Sequence, residues 1–242
     1  MAGGYAKRLW PLTLDKPKPL LPIAGKPIIE YVIDKIDELG IRDIVISTNM
    51  RFGFSFKKWL SDSKREDVKI FVENSLSERK KLGAIKALSI IASKIDDDCL
   101  IIAGDNLFTG SLKGMVGMYK KLNAPVIGLY AIKDFDHAKN YGVASVDSVG
   151  KIVKFVEKPE KSETTLIGTC IYIFPNRILS RIKEYVHKGF NLDAPGRFIE
   201  WLHKEEPVYG YVLDGSWWDI GTIITYKEAD EYFSSSKMEE LI

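Results

Sequence analysis

Four short stretches of this sequence carry side chains suited to handling phosphate and sugar. The first is the opening run MAGGYAKRLWPLTLDKPKPLLPIAGKPIIEY. Gly3 and Gly4 let the backbone approach a phosphate closely and leave N–H groups to cradle it. Arg8 adds a forked donor shaped for phosphate oxygens. Lys18, with a proline on either side in PKP, adds a point charge on an extended segment. A glycine pair alone is a weak signal, and the same stretch also reads as a surface loop with solvated bases. The second stretch is AGDNLF, where Asp105 follows directly on the apolar run CLIIAG. That run reads as a buried strand because nothing polar alternates in it. A carboxylate at the carboxyl end of a parallel strand stands where open α/β sheets bind ligands. A hard cation such as Mg²⁺ wants a carboxylate there, with phosphate oxygens completing its shell. A turn-capping Asp fits the local sequence equally well.

The third stretch is GSWWDIGT, which holds Asp219 between aromatics and a glycine turn. Asp219 either closes a metal site with Asp105 or caps the final helix. The fourth is YGVASVD followed by KFVEKPE. Gly142 permits backbone contact with a sugar, Glu157 offers a hydroxyl acceptor, and Lys158 offers a phosphate donor. Taken alone, EKP reads as an exposed strand end.

These residues need elements to position them. Pro27 opens a helix with Ile28, Ile29, Val32, Ile36 and Leu39 on its apolar side, and Gly40 ends it. DIVIST and VKIFVE read as strands, GAIKALSIIASKI as a helix, residues 111–122 as a helix and APVIGLYAI as a strand. Such alternation implies βαβ crossovers and a mostly parallel sheet. After residue 140 come close-spaced strands, YGVASVD, KIVKFVE and TCIYIF, separated by turn signals such as DSVGK. Helices at 176–188 and 195–204, the strand PVYGYVLD and a helix from Thr222 complete the chain, with SSSK as a frayed tail. The expected fold is an α/β three-layer sandwich on a mostly parallel, Rossmann-like sheet. Residues 1–242 form one domain, with a nucleotide-like half over 1–135 and a mixed half over 136–242.

Charge narrows the partners. Lys and Arg total 35 against 33 Asp and Glu, a formal net charge of +2. That balance argues against nucleic acid or a membrane surface as partner. Cys99 and Cys170 sit in apolar runs and read as reduced core residues. The chain opens without a basic-then-apolar leader and has no long apolar run, so a cytoplasmic location is expected. A homo-oligomer is compatible with the sequence.

The order GG…RLxPLT…PKPLLPIAGKPIIEY, LIIAGDN, YGV, VEKP and W-x-DIGT resembles the sugar-1-phosphate nucleotidylyltransferases, over residues 2 to 226. AGDNLF is most similar to the glucose-1-phosphate thymidylyltransferases, with the uridylyltransferases close behind. The resemblance implies a nucleoside triphosphate and a sugar 1-phosphate as substrates and Mg²⁺ as cofactor. It implies that Gly3 and Gly4 lie under the nucleotide, that Arg8 holds the triphosphate, and that Lys18 faces the phosphates. Asp105 and Asp219 would ligate the metal. Gly142, Glu157, Lys158 and Thr169 would take the sugar phosphate. Asn74 stands where many relatives have a base-reading Gln, and Gly83 would sit against the base.

Departures from the family bear on activity. Only Met1 and Ala2 precede the glycines, where relatives carry an apolar strand. Either the start codon is assigned late or the protein is cut back, so the usual first strand is expected to be missing. Ala6 and Lys7 replace a common Gly and Thr, and Ala6 is a problem if the backbone there needs positive φ. KKLGAIKAL is a shortened form of an LGTAGAI-type segment, and Cys170 stands where Gly is common. Two rival readings follow: a sugar-nucleotide-binding regulator without turnover, and a glycosyltransferase with its D-x-D at Asp96–Asp98.

Overall fold

The structure is a computed structural model that describes residues 1–74 and 82–239, with side chains described through residue 236. Part of KKLGAIKAL, Lys80 and Lys81, lies outside the described residues. The chain divides into two compact units, each assembled from more than one segment.

The first unit takes residues 1–74, 103–109 and 215–239. It begins with two single-turn 3₁₀ helices, Lys7–Leu9 and Lys18–Leu20. The hairpin of β1 (Pro22–Ile23) and β2 (Lys26–Pro27) follows, turning at Ala24 and Gly25, both at positive φ. Positive φ at both central residues gives the turn the twist that flanking strands need. Helix α1 (Ile28–Asp37) buries Ile28, Ile29, Val32 and Ile33, and the chain turns at Gly40 with φ 74°. The strand β3 (Ile44–Asn49) pairs in parallel with β4 (Val68–Glu73). Between them lies α2 (Gly53–Ser63), an element absent from the sequence expectation. Its buried Phe56 and Trp59 face the core, and the Trp59 indole N–H donates to Glu30 of α1 at 2.9 Å. Gly53 fits because a Cβ there would lie 3.1 Å from the Val72 methyls on β4.

The second unit takes Leu82–Ile102 and Gly110–Asp214. It holds α3 (Ala84–Ala92), β5 (Cys99–Ile102), α4 (Lys113–Leu122), β7 (Val126–Ala131), the short α5 (Phe135–Ala138), β8 (Gly142–Val146), β9 (Ile152–Glu157), β10 (Leu166–Phe174), α6 (Asn176–His187), α7 (Pro195–Glu205) and β11 (Tyr209–Val212). The sheet runs β11-β7-β10-β8-β9, with β5 beside the second half of β10. Two further strands, β6 (Asn106–Phe108) and β12 (Trp217–Asp219), pair antiparallel within the first unit, which closes with α8 (Ile223–Glu239).

The α/β class stands, but the strands are mixed rather than mostly parallel. Among the described residues, β3–β4 and β11–β7 run parallel, while β5, β7 and β8 all meet β10 antiparallel. The reason lies in the connections. A short link such as Asp147–Gly150 can only reverse the chain, whereas a parallel neighbour needs a long crossover. Consequently Asp105 does not follow a strand with a parallel neighbour among the described pairs. SSSK is no frayed tail either: Ser235 and Ser236 sit inside α8 and donate back to the carbonyls of Glu231 and Tyr232. Neither cysteine is in a disulfide, and both are half-buried.

Residues 1–6 form no strand, as expected, but Met1 and Ala2 are tied to two neighbouring segments. The Ala2 N–H donates to the Ser47 carbonyl of β3 at 2.7 Å, and the Gly104 N–H donates to the Met1 carbonyl at 2.7 Å. Gly104 is needed for that approach, since a Cβ there would lie 3.1 Å from the Met1 oxygen.

Candidate functional site

In the first unit the phosphate-type residues come from the opening loop, the end of the 103–109 segment and β12. Gly3 is braced from below: Asn49, at the end of β3, donates its amide to the Gly3 carbonyl at 3.0 Å and accepts from the Phe52 N–H. A Cβ on Gly3 would lie 3.0 Å from the Glu73 carboxylate, while Gly4 is exposed with open space above it. Glu73 is buried and accepts from the Ser47 hydroxyl at 2.9 Å. Burial pushes its carboxyl above the usual range, against that hydrogen bond. Neither Asn49 nor Glu73 is among the sequence-derived candidates. The signal was available: two polar residues ending two apolar strands.

Ala6 takes φ 45° and ψ 43°, the left-handed region that disfavours a side chain, and its carbonyl accepts from the Thr13 hydroxyl at 2.8 Å. The expected difficulty at this position is therefore present. Arg8 is exposed. Its guanidinium and the Asp219 carboxylate flank Gly221, each 3.4 Å from where a Cβ on that glycine would stand.

Lys18 forms an ion pair with Asp105, their side chains 13% and 29% exposed. Burial would raise the Asp105 carboxyl, but the Lys18 charge and hydrogen bond prevail and hold it below the ordinary range. The strand register sets Asp219 directly opposite Asn106, the neighbour of Asp105. Trp217 fixes this pairing by donating its indole N–H to the Asn106 side chain at 3.1 Å. Asp219 thus belongs to a strand and does not cap the last helix. Thr222 does that: its hydroxyl accepts from the Thr225 N–H at 3.1 Å, and the Thr225 hydroxyl accepts from the Thr222 N–H. Asn74 is exposed just beyond β4.

Among the described residues, no group of three or more His, Cys, Asp or Glu side chains is placed to hold a metal ion. Asp105 and Asp219, which lies opposite its sequence neighbour Asn106, are hard carboxylate donors of the kind a divalent cation takes when phosphate and water supply its remaining ligands. The residues fit such an ion, and do not form a closed structural cage.

In the second unit the sugar-type residues gather around the β8–β9 pair. Gly142 lies opposite Glu157. A Cβ on Gly142 would lie 2.8 Å from Glu157 Oε2 and would collide with the Phe155 ring. Glu157 is 8% exposed, which corrects its reading as an exposed strand end. Burial raises its carboxyl above the usual range, while Lys158 and Arg197 pull it down. Lys158 is exposed at φ 50°, its N–H bonded to the Tyr141 carbonyl. Thr169 is 1% exposed and donates its hydroxyl to the Gly128 carbonyl at 2.9 Å. The next residue, Cys170, has φ 58° within the register shift of β10, which accounts for a preference for glycine there. Gly83 has φ 84° and caps α3; a Cβ on it would lie 2.5 Å from the Leu192 carbonyl oxygen.

The family model for nucleotidyl transferases matches residues 1–236. The chain belongs to the nucleotidyl transferase family. Within that family its kin are the sugar-1-phosphate nucleotidylyltransferases that the motif order resembles. The bifunctional protein GlmU of Methanocaldococcus jannaschii is 30% identical over 233 residues, 96% of this chain and 53% of that protein. The UTP–glucose-1-phosphate uridylyltransferase AglF of Haloferax volcanii is 30% identical over 174 residues, 72% of this chain and 70% of that protein. A Bacillus anthracis crystal structure assigned as a glucose-1-phosphate thymidylyltransferase matches with a TM-score of 0.83 at 23% identity, covering 96% of this chain and 93% of that one. At that identity the likeness speaks for the fold. The chain spans about half the length of the GlmU relatives it matches. Members of the family take nucleoside triphosphates and sugar 1-phosphates and generally use a divalent metal. No helix among the described residues is long and apolar enough to cross a membrane.

Proposed function

We propose that this chain transfers a nucleotidyl group from dTTP or UTP to glucose 1-phosphate, releasing pyrophosphate, in the cytoplasm. The observation that carries the reading is the Lys18–Asp105 ion pair, in the same unit as Arg8 and Asp219, which flank Gly221. The sugar phosphate oxygen attacks the α-phosphorus, and pyrophosphate leaves in line. Two anions must meet, so charge repulsion is the obstacle, and positioned cations lower it. The backbone at Gly3 and Gly4 takes the nucleotide, Arg8 the triphosphate, and Lys18 the charge that develops in transfer. Asp105 and Asp219 would hold Mg²⁺, which when bound neutralises phosphate charge.

In the second unit, Glu157 accepts a sugar hydroxyl beside Gly142, Lys158 pairs with the sugar phosphate, and Thr169 supports that wall from below. Asn74 offers an amide to a pyrimidine edge, and Gly83 leaves room for the base. Thymidine and uridine differ by one methyl group, worth about 1–3 kcal/mol of discrimination. The deciding experiment is pyrophosphate release from glucose 1-phosphate and Mg²⁺ with each of dTTP, UTP, CTP, ATP and GTP. Release with dTTP or UTP is the expected outcome. Silence with every nucleotide from a folded protein would overturn the reading and favour a binding protein.

A further inference from the structure

We propose that Gly196, in the first turn of α7, is a positioning residue that seats the Glu157 carboxylate to meet a sugar hydroxyl. The inference rests on the reading above that Glu157 takes the sugar. Strand β9 ends at Glu157, and α7 packs against β9. A Cβ on Gly196 would lie 2.7 Å from Glu157 Cδ and would overlap Oε2 outright. From the opposite strand, a Cβ on Gly142 would lie 2.8 Å from the same oxygen. At such distances something must shift, and the atoms free to shift are those of the Glu157 carboxylate. Oε2 therefore occupies a slot between two positions that lack side chains.

The slot holds the carboxylate by shape. Lys158 and Arg197 attract it and Glu200 repels it, yet Arg197 is already engaged with Glu200 at 2.8 Å. Tyr172 also feels its charge. Lys158 and Arg197 act on Glu157 through their charge, and the two glycines set the shape of its seat. Pro195 at the first helical position fixes the entry of the helix and hence where Gly196 meets the acid. Any side chain at 196 would move the carboxylate away from its present position. A displaced acceptor loses sugar affinity and leaves the nucleotide half untouched.

Two measurements test this. The first is steady-state kinetics of Gly196→Ala, with Gly117→Ala as the control because a Cβ on Gly117 meets nothing within 4 Å. Gly196→Ala should raise KM for glucose 1-phosphate at least ~10-fold, with KM for the nucleotide within ~2-fold of the parent. The control should move neither. An unchanged sugar KM, or both constants moving together, would overturn the proposal. The second is a thermal-melting cycle. Gly196→Ala should lower the melting temperature in the parent chain and leave it unchanged in a Glu157→Ala background, where the clash is gone. Equal losses in both backgrounds would overturn the seat. If Gly196→Ala folds poorly, recovery in the double variant supports the seat and lack of recovery defeats it. Glu157→Gln with an unchanged sugar KM would instead sink the sugar reading, and the melting cycle then judges the seat alone.

Discussion

The two units handle their candidate residues in opposite ways. In the first, the groups are charges on strand ends and short loops, set against one another: Lys18 on Asp105, and Arg8 near Asp219 across Gly221. In the second, the key acid is buried, and its surroundings are defined by missing side chains and left-handed backbone at Lys158 and Cys170. The first arrangement rests on side-chain charges that can change partners without moving the backbone, the exposed Arg8 among them. The second is costly to disturb, because close-packed interiors leave no room for added atoms. Substitutions in the first unit should therefore act on turnover, and those in the second on affinity and stability.

Lys18→Ala should show the largest effect. We expect an intact fold by circular dichroism and turnover reduced at least ~100-fold in pyrophosphate release. Near-normal turnover would erase the contrast between the units. Losing Lys18 also leaves burial as the main influence on Asp105, so its carboxyl should protonate at higher pH than in the parent.

Next in size is Gly83→Ala, where positive φ combines with a 2.5 Å approach to the Leu192 oxygen. It should lose about 2–4 kcal/mol of stability by urea denaturation. A neutral result would mean that the second unit is not held by backbone shape.

Glu157→Gln comes third, with the sugar KM rising ~10-fold and the nucleotide KM unchanged. It carries a pH signature. Burial raises the Glu157 carboxyl, so the folded protein binds that proton more tightly than the unfolded chain does. Its contribution to stability is therefore favourable at low pH and is lost as pH rises through the window above the ordinary glutamate value. Glu157→Gln should melt slightly higher than the parent at neutral pH and lose that advantage in acid. A flat difference across pH would contradict the burial argument.

The smallest effect belongs to the first unit. Ala6→Gly should stabilise by about 0.5–1 kcal/mol, because relief from the left-handed region outweighs the glycine entropy cost. Destabilisation on thermal melting would show that Ala6 is not strained.

Local elements were legible where pattern and packing agree. VKIFVE is β4 in full, and the helix expected at 176–188 is α6. Strand direction was not legible, because it depends on which distant strand becomes the neighbour, and β10 receives β5, β7 and β8. Helix α2 escaped because GFSFKKWLSDS carries lysines and a serine-rich end around Phe56 and Trp59. For the site, residue types were readable and their environments were not. Asp219 opposite Asn106 is a pairing across more than a hundred residues, which no local window contains. Glu157 in VEKP sits among charged neighbours in sequence, and only the α7 glycine and β8 reveal that it is buried. The trouble foreseen at Ala6 was readable because it concerns backbone stereochemistry at a single residue.

The last helix reaches back to the start of the chain. The Asp230 carboxylate accepts from the Ala24 N–H at 2.7 Å across 206 residues, Tyr226 donates to the Pro22 carbonyl, and Phe233 packs edge-on against Tyr31 at 5.0 Å. During synthesis, then, the β1–β2 hairpin and the loop ahead of it wait for residues 226–233 to emerge from the ribosome. The second unit, lying almost entirely within residues 82–214, has all its strands available earlier. Vectorial synthesis thus favours the sugar-type half folding first, with the glycine loop locked last, when a closure over two hundred residues long is made.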